Sequence, residues 1–321
     1  MNRFFVSTGK YCVVLMLALL MMTPLNAQIA LREALDYDHD NKADWPIFRP
    51  ASNTWYILGS SGNVKIQGFG LANDDFLAPG DYDGDNIGDI AVWRETSGVW
   101  YILNSSNNTF AGYQWGIPGD EPVQRDYDGD NKTDLAVVRR INGVMIWWIF
   151  RSSDQNFEAF LWGLASDFVA PGDYDGDGKF DRAVQRPGAT PSSPAAWYII
   201  ASTEGFKFYN YGFSNDVVVP GDYDGDGRTD LAVVREGATP TDNLTWFILR
   251  SSDNGFYGVQ WGITGTDVLA QNDYDGDGKT DIAVWRNSNG IFYRINSSNG
   301  DFQGIQWGTA NDMPVAGYDT H

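Results

Sequence analysis

The chain has a single cysteine, Cys12, and only two histidines, His39 and His321. No disulfide can form within one copy, so stability must come from an apolar core or from bound metal. Scarce histidine leaves little from which to build a Ser-His-Asp or Cys-His nucleophile or a histidine-held zinc. Basic residues are few as well. Lys and Arg number 22 against 42 Asp and Glu, for a net charge of −20. Nucleic acid and anionic membrane are poor partners for such a surface. Beyond the N-terminus there is no long apolar run and no useful amphipathic helical period.

That N-terminus reads as an address. Arg3 and Lys10 are basic, Cys12 to Met22 is an 11-residue apolar run, and Leu25-Asn26-Ala27 offers small-residue cleavage. Residues 1–27 are therefore expected to be a secretory signal peptide. The run is too short to span a bilayer comfortably. Residues 28–321 form the expected mature chain, secreted or held at the cell surface or in the periplasm, with no membrane insertion after cleavage.

What fills the rest is repetition. LDYDHDNKADWPIFR, GDYDGDNIGDIAVWR, RDYDGDNKTDLAVVR, GDYDGDGKFDRAVQR, GDYDGDGRTDLAVVR and NDYDGDGKTDIAVWR follow one another, their first Asp at 36, 81, 126, 173, 222 and 273. A period of this size means an array or a propeller. Within a unit, FLAPG, IAVWR, VWYIL and TFAGYQWG are four strand-like runs, A to D, separated by turn chemistry. Four-stranded units of this length are propeller blades. The expected fold is all-β, a six-bladed β-propeller in one domain, with seven blades as the alternative. Residues 313–318 look like a lone A strand that closes the ring on blade one.

The acidic phrase has the chemistry of a calcium loop. Carboxylates stand at positions 1, 3, 5 and 9, and the position-7 carbonyl can join them. Ca²⁺ takes six to eight hard oxygens, which alternate short acids on a tight loop supply. The candidate ligands are Asp36, Asp38, Asp40, Lys42 and Asp44; Asp81, Asp83, Asp85, Ile87 and Asp89; Asp126, Asp128, Asp130, Lys132 and Asp134. In the second half they are Asp173, Asp175, Asp177, Lys179 and Asp181; Asp222, Asp224, Asp226, Arg228 and Asp230; Asp273, Asp275, Asp277, Lys279 and Asp281. Position 6 requires a left-handed backbone and is always Gly or Asn. An EF-hand would need Glu at position 12 and a helix after it, and a strand-like run stands there instead. About six Ca²⁺ are expected, one per A–B hairpin. His39 makes the first loop the least regular.

Aromatic-Gly pairs precede Pro-Gly and the acidic loop, as in Phe69-Gly70 before Pro79-Gly80 and Trp162-Gly163 before Pro171-Gly172. With these the chain resembles the FG-GAP or VCBS repeats of integrin α-chain propellers and of exported bacterial proteins. The resemblance implies a calcium-bearing propeller with an adhesive or ligand-binding role. Trp replaces Phe in four of the six pairs, and six units stand where integrins have seven, so the integrin ligand does not carry over.

Two further patterns recur. Strand C carries Trp55, Trp100, Trp148, Trp197, Trp246 and Phe292, and strand D ends in Phe69, Trp115, Trp162, Tyr211, Trp261 and Trp307. Blade packing is the favoured role, with sugar stacking the alternative. An Arg ends every strand B, expected as a clamp between blades, and an Asp follows five of the aromatic-Gly pairs at four residues. The functional expectation is an adhesion or ligand-binding module for an extracellular protein or glycan, not an enzyme. The alternatives are a secreted hydrolase or lyase acting on polysaccharide or phosphate esters, and a purely structural propeller. Ligands are expected on the rim opposite the acidic loops, where the B–C loops Pro187–Ala196 and Glu236–Thr245 lengthen.

Overall fold

A computed structural model describes residues 34–316. The expected signal peptide and His321 lie outside the described residues. Six antiparallel sheets of four strands each make a six-bladed β-propeller, and the seven-blade alternative falls. One 3-10 turn at Pro50–Ser52 is the only helical element among the described residues, so none crosses a membrane as a helix.

Blade 2 shows the pattern: β4 (Asp75–Leu77), β5 (Ile90–Arg94), β6 (Val99–Leu103) and β7 (Phe110–Gln114) pair in order. Strand B is buried on both faces because it lies inside the blade and between its neighbours. Strand C alternates between buried and half-buried positions, and strand D is mostly exposed at the rim of the disc. Blade 1 is different. Its B, C and D strands are β1 (Trp45–Arg49), β2 (Thr54–Leu58) and β3 (Val64–Gly68), and its A strand is β24 (Met313–Pro314). Ile47 pairs with Pro314 and Phe48 with Met313, so strands from the two ends of the described segment meet in one sheet.

The core is divided into layers between blades. Trp197 and Ile199 of blade 4 pack with Leu231 and Val233 of blade 5, and the other junctions repeat this. Every blade puts a strand-C aromatic into these layers: Trp55, Trp100, Trp147, Trp197 and Trp246 are fully buried and Phe292 nearly so, joined by Trp93 and Trp285 of strand B. In blade 3 the buried residue is Trp147, not Trp148. Adjacent tryptophans satisfy either register, and the pairing of Trp147 with Val138 turns that ring inward.

The strand-D aromatics are stitches. Trp115, Trp162, Trp261 and Trp307 each donate an indole N–H to a strand-C carbonyl of the next blade, those of Trp148, Tyr198, Tyr293 and Tyr56, at 3.1–3.3 Å. Phe69 and Tyr211 have no indole, so two junctions lack the stitch. The aromatic rings therefore pack blades. The glycine after each aromatic has a positive φ, from 79° at Gly212 to 113° at Gly116, which side chains with a Cβ rarely adopt.

The arginine at the end of strand B pairs within its own blade, not between blades. Arg94, Arg139, Arg186, Arg235 and Arg286 make two-pronged bonds to Asp75, Asp120, Asp167, Asp216 and Asp267 at the start of strand A, 2.7–3.2 Å long. Asp75 and Asp267 stand five residues after the glycine because their turns are one residue longer, so the aspartate at four residues in blade 2, Asp74, is not the two-pronged partner. Each guanidinium also lies over a strand-C ring, as Arg94 does over Tyr101 at 4.4 Å. The same aspartates accept backbone N–H groups of the D–A turn, such as that of Leu164 on Asp167.

In blade 1 this pair is Arg49 with Asp312, the one that joins the first and last described strands. Removing one partner of a well-buried pair costs roughly 2–3 kcal/mol. Asp312→Ala should lower the melting temperature by about 5–10 °C, and by more than Asp216→Ala, whose blade keeps its A and B strands covalently joined. Equal losses in scanning calorimetry would show that ring closure does not limit stability.

Candidate metal centres

Each acidic loop is a self-folded cage. The position-1 carboxylate turns back on the loop: in loop 4, Asp173 accepts the N–H groups of Gly176 at 2.6 Å and Gly178 at 2.9 Å. This demands left-handed backbone at positions 4 and 6. Position 6 has it in Asn41, Asn86, Asn131, Gly178, Gly227 and Gly278, and position 4 has it in His39 and five glycines.

Position 9 is the joint. One oxygen of Asp181 accepts the N–H of Tyr174, the position-2 residue, and the other accepts that of Ser202 in the C–D hairpin, at 2.8 and 2.7 Å. Asp44, Asp89, Asp134, Asp230 and Asp281 do the same. Hairpin hydroxyls complete the staple. Ser105 and Ser106 donate to Asp85 and Asp83, and Ser297 and Ser298 to Asp277 and Asp275. The repeated Ser-Ser or Ser-Thr of the C–D hairpin is therefore part of the site, a role that sequence reasoning missed. Its signal was there, since the pair recurs in every unit.

These bonds leave a gap that fits a cation. Position 3 has one oxygen on a hairpin hydroxyl, as Asp128 Oδ2 has on Ser153 at 2.6 Å. The other oxygen, Oδ1 of Asp38, Asp83, Asp128 and Asp175, is buried with no hydrogen-bond partner. An unpaired buried carboxylate oxygen is costly unless a cation faces it. Around it the acids converge. Ligand atoms of Asp36, Asp38 and Asp40 lie within 4.8 Å of one another, as do those of Asp81, Asp83 and Asp85, and those of Asp222, Asp224 and Asp226. Asp126 and Asp128 converge with Asp134, and Asp173 and Asp175 with Asp181. An all-carboxylate set suits a hard divalent ion.

The loops are also joined to one another. The position-8 N–H of each loop donates to the position-1 carbonyl of the preceding blade: Gly88 to Asp36, Thr133 to Asp81, Phe180 to Asp126, Thr229 to Asp173, Thr280 to Asp222 and Ala43 to Asp273, at 2.6–2.8 Å. The six bonds close a circle. Position-7 side chains lie over the same junctions. Lys132 reaches back to the Asp83 carbonyl at 2.9 Å, and a Cβ on Gly84 would fall 2.6 Å from its Cε. Lys179, Arg228, Lys279 and Lys42 lie likewise against Gly129, Gly176, Gly225 and Gly276. Only Ile87 is not basic, and the position it faces is His39, whose ring Nδ1 lies 3.2 Å from the Asn86 carbonyl. The irregularity of the first loop is thus matched by that of the second. The Ile87 carbonyl accepts a long bond from Ser105 at 3.4 Å.

No protein-family model matches this chain, and no curated protein matches it. Among solved structures, a catalytically inactive H270A virginiamycin B lyase from Staphylococcus aureus with quinupristin is similar at 8% identity and a TM-score of 0.49, over 88% of this chain and 90% of that one. A putative 6-phosphogluconolactonase from Bacteroides fragilis is similar at 9% identity and a TM-score of 0.44, over 88% of this chain and 97% of that one. Likenesses this distant carry no chemistry across.

Burial sets the titration of the metal-free cages. It raises Asp44 and Asp181 to about 8, Asp134 and Asp230 to about 7, and Asp81, Asp89, Asp126, Asp173, Asp222 and Asp281 to about 6. An unfolded Asp titrates near 3.9, so between these values the folded state binds more protons. Metal-free protein should therefore gain stability as pH falls from about 8 towards 5. Saturating divalent cation should reverse the trend, because the ion requires the ionised acids. Thermal melts across this range, with and without added ion, check both signs.

Proposed function

We propose that the chain is an exported calcium-binding β-propeller of the FG-GAP or VCBS type, serving as a ligand-binding or adhesion module outside the cell. The observation that carries the reading is the repeated acidic cage, in four of whose copies the position-3 Oδ1, that of Asp38, Asp83, Asp128 and Asp175, is buried without a partner. Extracellular conditions supply millimolar Ca²⁺, which matches the roughly 10⁻⁴–10⁻³ M affinities of extracellular calcium modules. Asp36, Asp38, Asp40 and Asp44 and their counterparts in the other five loops would hold the ion. It would supply positive charge where carboxylates crowd.

A binding role also fits the accounting of acids. The loop carboxylates fold their own cages, and Asp75, Asp120, Asp167, Asp216, Asp267 and Asp312 are held by arginines. A glycosidase needs a pair of acids free to face its substrate. The rim bearing the Arg–Asp pairs is free of cages and carries the longer B–C loops, so it is the side on which a ligand is expected.

Dialysed protein should bind close to six Ca²⁺ by equilibrium dialysis with elemental analysis. At free calcium near 100 times Kd, each site would add about 2.7 kcal/mol to the folded state. Excess chelator should therefore lower the melting temperature sharply. A melt indifferent to calcium, or one ion per chain, would overturn the reading.

A further inference from the structure

Residues directly opposite each other in an antiparallel ladder share a face. In every blade one strand-D residue therefore lies beside the strand-C side chain that packs on the next blade. These residues are Lys65, Ala111, Glu158, Lys207, Tyr257 and Gln303. Ala111 is opposite Ile102, which packs with Leu135 of blade 3, and Lys207 is opposite Ile199, which packs with Leu231 of blade 5. Five of the six are long side chains that reach into the groove between blades. Only blade 2 has an alanine.

Where the alanine stands, a cavity opens. Between blades 2 and 3 it measures about 480 Å³, with Tyr82, Ile102 and Tyr113 on one side and Lys132, Leu135 and Phe150 on the other. Pockets that enclose small ligands run from roughly 300 to 1,000 Å³. The same place between blades 4 and 5 has Tyr174, Tyr209, Arg228 and Leu231 in matching positions, but holds only about 70 Å³ and has Lys207 in its wall. Tyr113 is 49% exposed, so the larger cavity can be entered from solvent.

The other five grooves show what such a place accepts. Glu158 is paired with Arg182, and Gln303 takes a bond from Arg294 at 2.8 Å. In the groove of Ala111 those two arginines are replaced by Leu135 and Ile102, so a carboxylate or an amide would find no such donor. The grooves of Lys65, Lys207 and Tyr257 have aliphatic residues at both places, as that of Ala111 does. Lysine fills two of those three. Lys207 donates from Nζ to the Tyr174 carbonyl at 2.7 Å and pairs with Glu204 at 2.8 Å. The matching carbonyl in blade 2, that of Tyr82, accepts no hydrogen bond among the described residues. Burial holds the Lys65 ammonium below its usual range, against the pull of Asp89 and Asp85 of the next blade. Asp134 and Asp130 have those places beside the groove of Ala111. Lys132 does not bar a second cation. Its own ammonium is bonded to the Asp83 carbonyl at 2.9 Å, and its counterpart Arg228 shares a groove with Lys207.

We infer that the groove between blades 2 and 3 binds a primary alkylammonium, the tail of a lysine on a partner protein, in the place that Lys65 and Lys207 fill elsewhere in this chain. The Tyr82 carbonyl receives the ammonium, and Ile102 and Leu135 cover the methylenes, the division that long basic side chains favour. The site lies on the cage side of the disc, apart from the rim with the longer B–C loops. It rests on the shape of the groove and goes beyond the metal reading.

The test is a ligand-observed NMR titration of the full chain, calcium-loaded and after chelation. The probes are lysine capped at both backbone ends, its Nε-acetyl form, capped tyrosine and n-butylamine. Capped lysine should bind, and its affinity should fall at least about tenfold on Nε-acetylation, which removes the charge. Ala111→Lys installs the chain's own occupant and should weaken binding by at least about tenfold. Ala111→Met fills the groove without charge and should do the same. Ala159→Met, at an exposed position of strand D in blade 3, should leave binding unchanged. Melting temperature and bound calcium are measured on every variant. Capped lysine held by a chain that binds no calcium would spare this site and sink only the metal reading. Full calcium occupancy with no amine bound would sink only this site. Preference for capped tyrosine, binding of n-butylamine alone, or binding indifferent to acetylation or to both Ala111 variants would overturn the inference.

Discussion

One backbone hydrogen bond, repeated six times, ties this molecule together. The position-1 aspartate of each loop gives its carbonyl to the next blade while its carboxylate folds its own loop. A single residue thus shapes a cage and presents the acceptor on which the neighbouring cage rests. Anything that orders one loop orders part of the next, so the six centres are links of one circuit. The position-7 bases serve the same circuit by laying positive charge and aliphatic cover across each junction.

The two rims divide the work. On one, carboxylates outnumber bases and the geometry is strictly repeated, because a cage tolerates little variation. On the other, every strand-A aspartate is neutralised by an arginine, and the backbone turns there need only that pair. The B–C loops can then vary in length without disturbing the blade, which is how binding surfaces are carried on regular scaffolds.

Much of this was legible in the residues. The repeat gave the blades, and the spacing of acids gave the loops and their side of the disc. What stayed hidden depended on strand pairing. Arg94 and Asp75 are 19 residues apart and meet only once strands A and B lie side by side. Asp75 and Asp267 escaped because one extra turn residue shifted each out of the pattern, which in blade 2 points to Asp74. Trp147 and Trp148 could not be ranked, since a period of two fixes the face only when the register is known. The resemblance to calcium-bearing repeats covers nearly all of residues 28–321, but it could not show that the serines of the C–D hairpins close each cage, because that contact crosses from one hairpin to another.

The meeting of Arg49 with Asp312 spans 263 positions. Five blades can assemble from segments that are close in sequence, whereas the first must wait for a strand more than 260 residues downstream. Closing so long a loop costs chain entropy before any contact repays it, so this step sets a slow clock on folding. Until then blade 1 shows the unpaired edge of β1, a template for strands of other molecules. The acidic loops repel one another across any such encounter. The charge that bound metal would later quieten in the finished ring is, in the unfinished one, a guard against aggregation.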